Sequence, residues 1–79
     1  SVSAHAAIGI DAIIQSKVLD AGVAKVDWQS KSDLIGQLEI AIGDFIMDEI
    51  RDKYELSISF GEINEMTERY IDIAKIRYR

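Results

Sequence analysis

Leu34, Leu38, Ile42, Ile46 and Ile50 recur at every fourth position, and the 79-residue chain contains no proline at all. A row of that period runs along one side of an α-helix, and without Pro nothing in the sequence forces it to break. The middle of the chain is therefore committed to a long helix, expected over about residues 31–54, whose apolar side must be covered. Ile35, Ala41, Phe45 and the acid Glu49 widen the stripe. Asp44, Asp48 and Asp52 occupy the opposite side, where like charges repel mildly. Ile40 and Met47 fall outside the stripe, so this helix has apolar groups left over for a further neighbour. Gly36 and Gly43 are seven apart and so share a face. Each costs about 1 kcal/mol against Ala, which predicts close approach of a second backbone there.

Two more amphipathic segments flank it. The first is expected over about 4–19, capped by Ser3, with Ala7, Ile10, Ile14 and Leu19 inward and Ile13 and Val18 beside them. DAGVAKV then reads as an exit turn in which Gly22 takes a left-handed conformation. Ser30 and Asp33 approximate a capping box for the middle helix. The alternation of Leu56, Ile58 and Phe60 in ELSISF is too short to stand alone as a strand and reads as an extended connector tucked into the core. Ser59 and Glu62 form an S-x-x-E capping box. They open a third helix over about 60–78, with Ile63, Met66, Tyr70, Ile73 and Ala74 inward and Ile71 at the edge. The expected fold is all-α: one domain, 1–79, a three-helix up-down-up bundle. Such a bundle can also belong to a larger helical domain.

Size and charge limit what such a domain can do. A chain this short buries only about 60% of its unfolded surface and is marginally stable. Cysteine is absent, so neither disulfides nor thiolate metal sites are available, in keeping with a cytoplasmic setting. No apolar run reaches the roughly 20 residues of a membrane span. SVSAHAAIGI has no basic region typical of a signal peptide. It also lacks an initiator Met, so we expect the C-terminal piece of a much longer chain. Net charge is −5, with 14 acids against 9 Lys and Arg, which opposes phosphate binding by the chain as a whole. The terminal cluster Lys75–Arg79 is read as complementing the negative end of the third helix.

The residues offer no assembled chemistry. His5 is the lone histidine, and without partners it reads as a surface or edge residue rather than a metal ligand. Glu62, Glu65 and Glu68 are spaced like a carboxylate site, but di-metal bundles use Glu-x-x-His pairs, so a solvated face is expected. The five glycines are dispersed singly, without P-loop, dinucleotide or nucleophile-elbow patterns. No catalytic residue, metal site or cofactor is assigned. Trp28, the only tryptophan, is either a staple folded under the entrance of the middle helix or an interface anchor. Trp28, Ile40 and Met47 are the candidate partner-contact residues.

The layout VDWQSKSDL, then a long helix ending IRDKYEL, then a capped helix ending YIDIAKIRY, resembles the C-terminal helical region of type I restriction enzyme R subunits. Val26, Asp27 and Trp28 match the family's hydrophobic-Asp-Trp step, Lys53 and Tyr54 its charged-aromatic close, and Ile71–Ala74 its small, apolar last helix. IGIDAIIQSKV fits the segment upstream. The acidic LIGQLEIAIGDF departs from the family's more basic helix, which counts against an inherited DNA contact. The resemblance implies a parent with a nuclease and two ATP-driven translocase domains, using magnesium to cleave DNA after translocation. It implies that this region is noncatalytic and docks the R subunit onto the methyltransferase and specificity subunits, with DNA held by other domains. Rival readings are an autonomous interaction or homo-oligomerisation module, a nucleic-acid-binding bundle, and a small enzyme.

Overall fold

The computed structural model describes residues 4–52 and 59–79, with side chains except those of residues 5 and 50–52. It is mostly helical, with three α-helices and one small antiparallel hairpin. Helix α1 spans Ala4–Val18. Four alanines supply intrinsic helix propensity. Ala6, Ile10, Ile14 and Val18 are buried, a row four residues apart, while Ala7, Ile13 and Leu19 flank it half-buried. The inward row is thus rotated from the expected one, with Ala6 and Val18 replacing Ala7 and Leu19. The expected cap, Ser3, lies outside the described residues.

The exit turn after α1 is a hairpin, and this corrects a purely α architecture. Strands β1 (Leu19–Asp20) and β2 (Val23–Ala24) pair antiparallel, Leu19 with Ala24 and Asp20 with Val23. Between them Ala21 has φ 55° and Gly22 φ 82°. Positive φ at both central residues is the type I′ arrangement, whose twist matches that of paired strands. Gly22 was expected in this conformation; Ala21 adopts it against a Cβ penalty. Beyond the hairpin, the Lys25 N–H donates to Val18 O at 2.8 Å and so caps the end of α1.

Asp27 also takes a left-handed conformation, φ 54°, and starts a 3₁₀ turn over Trp28–Ser30. That turn displaces the expected cap. Helix α2 spans Ser32–Phe45 with Lys31, not Ser30, at its N-cap, and no side chain caps it. From Ile46 to Asp52 the helix continues with π geometry, in which hydrogen bonds reach one residue further than in an α-helix. Leu38, Ile42 and Ile46 are fully buried, while Leu34, Ile35, Phe45 and Met47 pack around them. The expected end of this helix at residue 54, with Lys53 and Tyr54, lies outside the described residues, as do Leu56 and Ile58.

Helix α3 spans Phe60–Arg77 and opens as expected. Ser59 Oγ accepts from the Glu62 N–H at 3.2 Å and donates to Glu62 Oε1 at 3.3 Å. Its inward row is Ile63, Thr67, Ile71 and Ala74. Ile71 is therefore core rather than edge, and Ile73 is half exposed rather than core. Thr67 tolerates burial because its hydroxyl donates back to Ile63 O at 2.8 Å. Phe60 is exposed, not tucked in. Lys75 and Arg77 occupy the last turn, and Arg79 Nε donates to Ile76 O at 3.1 Å, so the terminal cations do serve the helix end.

Helix α2 is the central element, packed against both α1 and α3, which meet each other only narrowly. No close approach occurs at Gly36 or Gly43, where a Cβ would have no neighbour within 4 Å among the described residues. Gly9 has that role instead: a Cβ there would lie 2.9 Å from Phe45 Cε2 and 3.3 Å from Cε1. The ring of Phe45 covers the bare backbone of α1.

Candidate functional site

Trp28 is wholly buried, 0% exposed, among Ile10, Val18, Leu38 and Ile42 of the core. Of its two readings the packing one is realised, and the ring offers no surface to a partner. Its polar edge has a specific task. The indole N–H donates to Tyr78 O at 2.6 Å, and Gln29 Nε2 approaches the same oxygen at 3.5 Å. This carbonyl follows the last turn of α3, where intrahelical acceptor capacity goes unused. The Asp27–Trp28 step thus folds the entrance of α2 onto the exit of α3.

The same terminus is tied to α1. Tyr78 Oη donates to Asp11 Oδ1 at 2.6 Å, Arg77 Nη1 lies 3.5 Å from that oxygen, and Gln15 Nε2 donates to Asp11 Oδ2 at 2.8 Å. Burial, then the hydrogen bond to Asp11, raises the Tyr78 phenol above its ordinary value of 10.0, since both disfavour a second anion there. Nothing in local sequence pattern pairs residues 67 apart, so this network was out of reach of spacing rules.

Ile40 stands 68% exposed on the side of α2 away from Leu38 and Ile42. Met47 does not share that surface. It is half-buried against the core, because the π turn changes the angular spacing by which it was placed outside the stripe. Ile76 is 66% exposed and Ile73 50%. Ile73 forms one wall of a shallow 150 Å³ cleft between α1 and α3, with Ala7, Asp11, Tyr70 and Arg77. Ile8, Val23 and Val26 are also exposed. Ile8 was detectable in principle, since it falls between the rows that contain Ala6 and Ile10; Val23 and Val26 follow only from the hairpin.

The titratable candidates are dispersed. Glu62, Glu65 and Glu68 are exposed, and for His5 only its backbone place in the first turn of α1 is described. Among the described residues no three His, Cys, Asp or Glu side chains gather as a metal site, and no helix is long and apolar enough to cross a membrane. The surface features that could serve a function are therefore apolar contacts and one cationic groove beside α2. Comparison with protein-family models, curated proteins and solved structures found no match for this chain.

Proposed function

We propose that the chain is a noncatalytic helical docking domain of a type I restriction enzyme R subunit, its three helices running up, down and up. Other domains of that parent supply ATP- and magnesium-dependent translocation and DNA cleavage in the cytoplasm. This domain seats the R subunit on the methyltransferase and specificity subunits. The resemblance carried by Val26–Leu34, Lys53–Tyr54 and Ile71–Ala74 supplies the family. The observation that carries docking is Ile40, a large aliphatic side chain 68% exposed on the outer side of the central helix. Its removal leaves the core intact, so selection for folding alone does not account for it.

The test is binding of the chain to a purified methyltransferase–specificity complex, followed by calorimetry and native mass spectrometry. Ile40→Asp is expected to weaken binding at least about tenfold if Ile40 is a buried contact, with the denaturation midpoint unchanged. Wild-type affinity in that variant would defeat the proposal. A concentration-dependent dimer in sedimentation that Ile40→Asp dissolves would assign the surface to self-association instead.

A further inference from the structure

We propose that the groove at the entrance of α2 binds a phosphate group, an activity separate from docking through Ile40. The groove has a volume of about 570 Å³, and Lys17, Lys25, Lys31, Ser30, Ser32 and Asp33 line it. The three lysines come from different places: the last turn of α1, the residue after β2, and the N-cap of α2. Folding thus gathers three of the chain's five lysines into one concavity, on a molecule of net charge −5. Among the described residues none of the three makes an ion pair, and Asp33, the acid in the same groove, makes none either. The concentration of positive charge is accordingly local and unneutralised.

The backbone adds to it. α2 lacks a side-chain cap, so the first-turn N–H groups have neither an intrahelical acceptor nor a capping oxygen. Lys31 at the N-cap adds a cation where the helix dipole already presents positive charge, against the usual preference for Ser, Thr, Asp or Asn. Three ammonium groups, an open helix N-terminus and the Ser30 and Ser32 hydroxyls are all donors. A phosphate, with several acceptor oxygens and up to two negative charges, is complementary to that set. The volume exceeds one phosphate ion and falls in the range of small-ligand sites of about 300–1,000 Å³. The group can therefore arrive on a small phosphomonoester or as part of a nucleic-acid backbone.

The experiment titrates the isotope-labelled 79-residue chain with inorganic phosphate at fixed ionic strength, chloride serving as the reference anion. Saturable amide shifts are expected at Ser32, Asp33 and Leu34. Lys17→Gln, Lys25→Gln and Lys31→Gln should each weaken binding by up to about fivefold, and the triple variant should abolish saturation. Lys75→Gln, remote on α3, should change nothing. Linear shifts that match chloride, or a triple variant saturating like the wild type, would overturn the proposal. If circular dichroism shows the triple variant unfolded, three single variants that all bind phosphate as the wild type does would overturn it equally. Parallel titrations with thymidine monophosphate and short duplex DNA identify the source. Tighter DNA binding that falls with salt, with a slope near −0.9 per contacted phosphate, assigns a nucleic-acid backbone; binding of the monophosphate without DNA assigns a small ligand.

Discussion

Replacing Trp28 with Phe separates the two services of this side chain, filling the core and holding the end of α3. The hydrogen bond to Tyr78 O is 2.6 Å long, and the only other side-chain donor nearby, Gln29 Nε2, sits at 3.5 Å. Loss of the indole N–H leaves that carbonyl poorly satisfied, a cost of about 1–3 kcal/mol. The smaller ring also forfeits on the order of 1 kcal/mol of burial, with a residual cavity beside Leu38 and Ile42. The sum, about 2–4 kcal/mol, is a large share of what small domains possess. It corresponds to a fall in Tm of roughly 10–20 °C for a chain of this size. Far-UV circular dichroism in a urea series measures it without relying on tryptophan emission. A loss below about 0.5 kcal/mol would refute the assignment of Trp28 as the clasp on α3. It would also show that Tyr78 O finds an equivalent partner.

Four further outcomes follow from named contacts. Gly9→Ala would ordinarily stabilise a helix by about 1 kcal/mol; here the Phe45 ring should reverse the sign, and Phe45→Leu should restore it in a double-mutant cycle read by denaturant midpoints. Ala21→Asn places the preferred residue at the first left-handed position of the I′ turn and should raise stability by up to about 1 kcal/mol, checked by thermal melting. Met47→Ala should cost about 1–3 kcal/mol because its side chain packs on the core, whereas Ile40→Ala should leave the midpoint within about 0.5 kcal/mol. For Tyr78, a folded-state pKa raised above 10.0 means that its contribution is fully present below pH 10 and disappears as pH rises through the higher folded value. The wild type should therefore lose stability more steeply above pH 10 than Tyr78→Phe, and parallel curves in alkaline melts would refute the coupling to Asp11.

Rules with local causes were the legible ones. Ser59 and Glu62 form their cap because both partners lie within one turn, and the terminal cations meet the end of α3 for the same reason. The rotation of α3 was not legible. Ile71 and Ile73 are both aliphatic, and the choice between them depends on where α1 and α2 lie and on the ability of Thr67 to satisfy its own hydroxyl. The apparent Ser30–Asp33 cap failed because Asp27 turns left-handed and converts Trp28–Ser30 into a 3₁₀ turn. The hairpin was hidden because Ala21-Gly22 lacks the Asn-Gly or Asp-Gly signature of I′ loops. As for the candidate contacts, Ile40 was readable from the wheel alone. Met47 was misplaced by assuming α geometry through a π segment, and Trp28 required knowledge of Tyr78.

The π segment at Ile46–Asp52 also sets the angular address of every residue beyond it. One extra residue per wide turn acts as a phase shifter in the middle of an otherwise regular rod. Deleting a single position there would let the backbone relax to ordinary α pitch. Everything downstream would then swing by about 100° around the axis, carrying apolar groups out of the interior and acids toward it. Single-residue deletions at 46–52 should therefore harm folding more than conservative substitutions at the same positions. A length change in this stretch is a change of geometry before it is a change of chemistry.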